Sequence, residues 1–190
     1  MCKVKTFFWN RIVASTTSGA TRLVKKARAR RVLVVGENIQ ALTEALAFSV
    51  ERMESVPFPR LSRILARSAT RLKEKEPFLE YGDQSYDLCI VSFSLHQLEP
   101  EVAEAVVREA LRIAPNALLI DFALAERNIE LPSQYLCSLV EQFLHHGTHW
   151  DTYKHYIRVG ALHGIAHRAQ SSEFDNVTIW GGGIRLLLVG

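Results

Sequence analysis

The chain has 190 residues, of which 48% are hydrophobic and 23% charged, and its net charge is +3. These values favour one globular domain with a single core and exclude an intrinsically disordered chain. No apolar run approaches the roughly 18 residues of a membrane span, and three scattered cysteines suit neither a disulfide framework nor a zinc site. We therefore expect a reduced, cytoplasmic protein.

Charge is distributed unevenly along the chain. Residues 1–31 contain nine basic residues and no acidic one, whereas residues 32–190 contain more acidic than basic residues. We interpret residues 1–31 as a basic N-terminal helical arm and residues 32–190 as the main domain. Such an arm can attract an anionic membrane surface or act as a transit peptide, but it can equally be a solvated helical face or pair with the acidic body. Nucleic acid is not favoured as a partner.

The first third of the chain predicts two helices and then a strand–turn–helix unit. The helices of the arm are expected over residues 4–14 and 20–29, on either side of a polar breaker. The β-branched run Val32–Val35 predicts a strand that ends at Gly36, and apolar spacing predicts a helix over residues 39–48. This order is typical of the opening of a nucleotide-type α/β fold.

The next segment is weakly patterned. Residues 50–56 are predicted as a second strand because two prolines follow them. A helix is expected over residues 61–68, a short third strand over residues 69–72, and a polar loop over residues 73–84.

The strongest pattern begins at Asp87. The apolar run 87–93 is closed by small polar residues, and an amphipathic helix over residues 99–114 leads to a second apolar run, 117–122. The pattern predicts two buried parallel strands joined by a helix. Ligands bind at the carboxyl ends of such strands, so Asp87, at the other end, is expected to be structural.

The last third predicts helices over residues 134–146 and 152–169 and strands over residues 176–180 and 184–189. Glycines 181–183 join these two strands, which must therefore be antiparallel. The chain as a whole predicts an α/β fold: a three-layer, Rossmann-like mixed sheet of about seven strands whose last strand is antiparallel.

Residues 85–121, which begin Ser-Tyr-Asp-Leu and contain Ser-Leu-His-Gln-Leu, resemble the fourth-strand segment of class I S-adenosylmethionine-dependent methyltransferases. Residues 149–162 resemble a block of the ubiquinone/menaquinone C-methyltransferase type. The resemblance implies a methyltransferase that uses S-adenosylmethionine to modify a small organic molecule. A catalytically inactive, methyltransferase-like binding or scaffold protein is the main alternative, and a nicotinamide-binding Rossmann protein ranks below it because Gly-x-Gly-x-x-Gly is missing.

The cofactor loop departs from the family. Methyltransferases of this class have an acidic residue and then Gly-x-Gly-x-Gly here, whereas this chain has Val34, Gly36, Asn38 and Gln40. The resemblance implies cofactor contacts from Gly36, from Asn38, which tolerates a positive φ, and from Glu37, whose carboxylate could meet the methionine ammonium. The side chain of Gln40 must then turn aside.

The other cofactor-binding candidates also follow from the resemblance. Glu54, with Glu51 as a fallback, would bind the ribose hydroxyls, and Glu74 or Glu76 would receive the adenine amino group. Ser92 and Phe93 would line the methionine part of the pocket. For the glutamates, an ordinary surface role is the competing interpretation.

His96 is the candidate catalytic residue, because a loop histidine has a pKa suited to a general base. The competing interpretation is a structural histidine that is hydrogen-bonded to the backbone, and Asp121, beside the same crevice, has the same two interpretations. The aromatic residues Trp150, Tyr153 and Tyr156 are expected to cap an apolar pocket.

Two histidine pairs, His145/His149 and His163/His167, have a spacing that can chelate a metal on a helix. Neither pair is accompanied by a carboxylate or cysteine in a recognisable pattern. We therefore expect no metal site.

Overall fold

A computed structural model describes residues 3–144 and 148–190, and the side chains of residues 11–139 and 149–190. In chain order the elements of this part of the chain are α1 (Lys3–Ala27), β1 (Arg31–Gly36), α2 (Ile39–Leu46), β2 (Arg52–Pro57), α3 (Phe58–Arg67), α4 (Ala69–Glu74), β3 (Leu88–Ser92), α5 (Pro100–Ile113), β4 (Ala117–Phe122), α6 (Leu131–Leu144), α7 (Thr148–Arg158), α8 (Ala161–Arg168), β5 (Glu173–Ile179) and β6 (Ile184–Val189).

The strands form one mixed sheet in the order β2-β1-β3-β4-β6-β5. The first four are parallel, with Val32 of β1 opposite Leu88 of β3, and β6 is antiparallel to both of its neighbours. The predicted α/β fold and its antiparallel end are therefore confirmed. All residues of β3, β4 and β6 are buried, which explains their continuous apolar runs.

The sheet of the described residues has six strands rather than seven, because residues 69–72 belong to helix α4. The prediction of a third strand there was wrong. The sequence Ala-Thr-Arg-Leu-Lys-Glu consists mainly of good helix formers, and it has no apolar face that could enter a sheet.

The division of the chain into helices also differs from the prediction in two places. Helix α1 continues through the polar stretch 15–19, because the side chains on either side of it, Ile12 and Ala20, pack in the core. The hydroxyls of Thr16 and Thr17 are satisfied by carbonyls of the same helix. The helix expected over residues 152–169 is instead two helices, α7 and α8. Gly160, with a φ of 102°, provides the left-handed turn that separates them.

Helix α1 packs against the sheet rather than extending from it. Its side chains Ile12, Leu23 and Val24 are buried in the common core. Basic residues near its end pair with the acidic body, as in the 2.7 Å contact between Lys26 Nζ and Asp175 Oδ2. Among the described helices, none combines the length and the apolarity needed to cross a bilayer. The membrane affinity of residues 1–31, and their behaviour as a separate arm, stay predictions.

Asp87 anchors the amino end of β3, as expected. Its carboxylate accepts hydrogen bonds from the backbone N–H groups of Arg30 and Arg31, at 3.0 and 2.9 Å, and from Arg31 Nε at 3.0 Å. Partial burial acts to raise the pKa of this carboxyl, but the hydrogen bonds from Arg31 and Arg30 outweigh it and lower the pKa.

We expect Asp87→Ala to lower the free energy of unfolding by about 1.5–3 kcal/mol at neutral pH, because hydrogen bonds to a charged group are lost. Since the folded-state pKa is depressed, this contribution should disappear as the pH falls through that pKa. Urea denaturation at several pH values measures both effects. Asp151→Ala is the control, because Asp151 pairs with Lys154 on an exposed helix surface and should change stability by at most about 0.5 kcal/mol. Equal effects of the two substitutions would contradict the anchoring role.

Candidate functional site

The candidate site lies where parallel strands β1, β3 and β4 end at the same edge of the sheet. Gly36 at the end of β1 is opposite Ser92 at the end of β3, and Ser92 is in turn opposite Ile120 of β4. The chain segments that follow these strands therefore meet at this edge, as is usual for ligand sites in open α/β sheets.

The loop after β1 lies directly on the end of β3. Gly36 has a φ of 116°, and a Cβ atom there would lie 2.1 Å from the carbonyl oxygen of Ser92. The next residue, Glu37, donates its backbone N–H to that same oxygen at 2.7 Å. Asn38 has a φ of 55° and completes the left-handed turn from which α2 starts. Only glycine fits at the first position, and asparagine is suited to the second.

The side chain of Gln40 lies away from this loop. Its amide donates to Glu44 Oε1 at 2.9 Å, one turn along α2, and the residue is exposed. The Gln40 side chain thus lies where cofactor binding at this loop would require it to be. Val34, which stands where the family has an acid, is fully buried in the sheet.

Three buried polar atoms around the loop have no hydrogen-bond partner among the described residues: Asn38 Nδ2, Ser92 Oγ and Ser94 Oγ. Ser94 Oγ is 3.0 Å from the Cβ position of Gly36, so it lies beside the loop. An unpaired buried polar atom costs free energy and is uncommon in native proteins. These three atoms are hydrogen-bonding groups that a ligand or an ordered water at this edge of the sheet can engage.

The backbone at the end of β3 is strained as well. Phe93 has a φ of 43°, in the left-handed region that a bulky residue rarely adopts. Such strain costs on the order of 1–3 kcal/mol and is concentrated at functional sites. The ring of Phe93 is fully buried and packs edge-on against that of Phe122, at 5.9 Å between ring centres. The ring of Phe93 thus packs in the core below the candidate site.

Gln97, in the short 3-10 turn Leu95–Gln97, joins the two loops and was not identified from the sequence. Its Nε2 atom donates to Glu37 Oε1 and to the carbonyl oxygen of Phe93, both at 3.0 Å. This places the carboxylate of Glu37 between the end of β1 and the turn after β3.

His96 and Asp121 form a buried pair beside this edge. His96 Nδ1 is 2.6 Å from Asp121 Oδ1, and the two residues are 4% and 0% exposed. The carboxylate also accepts the backbone N–H groups of Leu95 at 2.9 Å and of Phe122 at 2.8 Å. Since a carboxylate only accepts, Nδ1 carries the proton, and in the neutral ring the lone pair is on Nε2. The partner of the His96 ring is thus a buried carboxylate rather than a backbone group.

Helix α7 covers this pair with aromatic side chains. The rings of Tyr153 and Tyr156 approach that of His96 edge-on, with centres 6.3 and 6.4 Å apart. The Tyr156 hydroxyl donates to the carbonyl oxygen of Phe122 at 2.7 Å, and its complete burial raises its pKa well above the usual value. Trp150 stacks on Tyr153 at 5.5 Å. His96 is accordingly almost completely buried under these side chains.

No protein-family model matches the chain, and no curated protein matches it. Solved structures do. They include a putative O-methyltransferase from Nostoc punctiforme (TM-score 0.60, 16% identity, 95% of this chain and 55% of that one) and PigF with SAH (TM-score 0.54, 16% identity, 98% and 58%). The N-methyltransferase NodS from Bradyrhizobium japonicum matches over 95% of this chain and 96% of its own (TM-score 0.56, 13% identity). The chain has a class I methyltransferase fold. It spans little more than half the length of PigF.

Within this class I methyltransferase fold, Glu54 does not reach the candidate site. It lies opposite Leu33 in the middle of β1, three residues before β2 ends at Pro57. At roughly 3.3 Å per residue it is about 10 Å short of the strand end. Its carboxylate accepts hydrogen bonds from Arg52 and Tyr86, in that order of importance, which lower its pKa. Glu54 therefore does not stand at the carboxyl end of β2, where a residue that binds the ribose has to lie.

Glu74 does not reach the site either. It is the exposed last residue of α4, because the segment predicted as a strand is a helix. Its neighbours Leu72 and Lys75 line a hollow together with Arg108 and Arg112, in the second half of α5. Helix α5 starts at the candidate site and leads away from it, so Glu74 lies toward the opposite end of the sheet.

The structure describes only part of the two histidine pairs. His145 lies outside the described residues. Nε2 of His163 is 3.5 Å from Glu173 Oε2 and 3.5 Å from Arg185 Nη1, a cation that would oppose a metal ion there. Among the described residues, no three histidine, cysteine or acidic side chains are grouped as metal ligands.

Proposed function

We propose that the protein is an S-adenosylmethionine-dependent methyltransferase that acts on a small organic molecule. The observation that carries the proposal is the group of three unpartnered buried polar atoms around the loop formed by Gly36, Glu37 and Asn38. The fold, the left-handed turn at Asn38 and the displaced Gln40 side chain support it. The match to structures such as PigF with SAH supports the choice of cofactor.

The residues present fit the methionine part of the cofactor better than its ribose. Asn38, Ser92 and Ser94 offer hydrogen-bonding atoms, and the N-terminus of α2 favours a carboxylate. Glu37 offers a carboxylate for the ammonium. At the end of β2, however, the chain has Pro57 and Phe58 instead of an acid. Binding should therefore be weaker than in a site that holds both ribose hydroxyls.

The bound cofactor would supply an electrophilic methyl group. The contribution of the chain itself is to orient the substrate, exclude water and accept a proton. Nε2 of His96 is the proposed base: it would take the proton from a substrate O–H or N–H group, while Asp121 stabilises the resulting imidazolium. The aromatic rings of α7 would cover an apolar substrate. A substrate like that of the ubiquinone/menaquinone C-methyltransferases remains a prediction from the resemblance.

Calorimetric titration of the full chain with S-adenosylhomocysteine tests the proposal. We expect a Kd of about 10–1,000 μM, because the missing ribose carboxylate removes hydrogen bonds to a charged group. Gln40→Ala and Glu54→Ala should leave this Kd unchanged, since both side chains lie away from the candidate site. No heat at millimolar ligand would contradict the proposal and favour a cofactor-free scaffold.

A further inference from the structure

Glu37 is held at the candidate site by two separate contacts. Its backbone N–H donates to the carbonyl oxygen of Ser92 at 2.7 Å, which fixes the loop on the end of β3. Its side-chain Oε1 accepts a hydrogen bond from Gln97 Nε2 at 3.0 Å. Gln97 is itself fixed, because the same nitrogen donates to the carbonyl oxygen of Phe93 at 3.0 Å.

This arrangement orders a side chain that would otherwise be mobile. A glutamate at a loop surface has many rotamers, and fixing it costs free energy that a ligand must otherwise supply on binding. Gln97 binds Oε1, so Oε2 can still accept a further donor. A neutral amide donor satisfies the carboxylate only weakly, whereas an ammonium group makes a stronger, charge-assisted hydrogen bond.

We infer that Gln97 is a positioning residue that holds the Glu37 carboxylate ready for the ammonium group of the ligand. This inference rests on the proposed function. It assigns to Gln97 a part in ligand selectivity: the site should prefer S-adenosyl ligands that carry the amino-acid moiety over 5′-methylthioadenosine, which has the same nucleoside without it.

The position of the unpartnered atoms supports this placement. Ser92 Oγ and Ser94 Oγ lie on the strand and loop that Gln97 follows, and Asn38 Nδ2 lies on the residue after Glu37. A zwitterionic amino-acid group needs acceptors for its ammonium and donors for its carboxylate. Glu37 provides the first, and Asn38 with the serine hydroxyls provides the second.

The test is calorimetric titration of the wild type, Gln97→Leu, Glu37→Gln and the double variant with S-adenosylhomocysteine and with 5′-methylthioadenosine. Leucine keeps the approximate size of glutamine but cannot donate. We expect Gln97→Leu to weaken S-adenosylhomocysteine binding by about tenfold, through the rotamer freedom that Glu37 regains. The affinity for 5′-methylthioadenosine should not change. In the Glu37→Gln background, Gln97→Leu should have little further effect.

Gln84→Leu is the matched control. Its amide also donates to backbone carbonyls, those of Leu111 and Arg112, but at the opposite end of the sheet, so both affinities should stay at the wild-type values. Equal weakening of both ligands by Gln97→Leu would overturn the inference, because it would indicate a general loss of loop structure. The inference would also be overturned if Gln97→Leu weakened S-adenosylhomocysteine binding as much in the Glu37→Gln variant as in the wild type. A wild type that binds neither ligand contradicts the proposed function itself, and the inference falls with it.

Discussion

Gly36→Ala is expected to lower the free energy of unfolding by about 2–5 kcal/mol and to abolish binding of S-adenosylhomocysteine. The new Cβ atom would lie 2.1 Å from the carbonyl oxygen of Ser92 and 3.0 Å from Ser94 Oγ. The carbonyl cannot withdraw easily, because it belongs to a central strand and accepts the N–H of Glu37. A φ of 116° adds backbone strain for alanine.

Urea denaturation and calorimetric titration of the same preparations measure the two effects. Gly82→Ala is the matched control: nothing lies within 4 Å of its Cβ position, so alanine there should be neutral or slightly stabilising. If Gly36→Ala proved as stable as the wild type and still bound the ligand, the close contact between the loop and β3 would not exist in solution.

Much of the fold could be predicted because its central strands are buried on both faces. Strands β1, β3 and β4 therefore appear as apolar runs too short for helices, and their order indicates the parallel sheet. The local sequence pattern gave a wrong prediction where tertiary packing decides the secondary structure. The polar stretch in α1 has the composition of a breaker, but the helix is held there by packing on the sheet, and its Thr16 and Thr17 hydroxyls are satisfied by carbonyls of the same helix.

The candidate site could be predicted only where it depends on strand ends. The apolar runs of β1 and β3 are followed closely by Gly36, Asn38 and His96. The sequence therefore predicts that these residues lie at the edge of the sheet. Glu54 was misplaced because it was chosen from the resemblance, although the two prolines already predict that the strand continues to residue 56; two or three residues along a strand move a side chain by roughly 7–10 Å. Gln97 carried no local signal, since its partner Glu37 is 60 residues away along the chain.

Asp121→Ala is expected to lower the free energy of unfolding by about 3–5 kcal/mol, because it removes one partner of a buried pair. The carboxylate is fully buried and accepts hydrogen bonds from His96 Nδ1 and from the N–H groups of Leu95 and Phe122. Alanine would leave all of these donors unsatisfied. Asp121→Asn keeps the volume but points an NH₂ group at some of the same donors, so a loss of about 1–3 kcal/mol is expected.

Urea denaturation compares these variants with Glu99→Gln, in which the carboxylate partner of His155 is changed. That pair has a similar contact, 3.1 Å, but its side chains are 43% and 58% exposed, so the expected change is below about 0.5 kcal/mol. Similar losses at the buried and the exposed pair would contradict the burial of Asp121.

His96→Ala separates the proposed catalytic role of this pair from its structural one. If Nε2 of His96 accepts the substrate proton, this variant should lower kcat by about 10²–10⁴-fold. Its Kd for S-adenosylhomocysteine should change far less than kcat, because the proposed ligand atoms lie on Glu37, Asn38, Ser92 and Ser94 and none lies on His96. A loss of cofactor affinity equal to the loss of rate would mean instead that His96 supports the loop after β3 and takes no proton. In that case the burial of His96 by Tyr153 and Tyr156 would reflect core packing rather than a covered base.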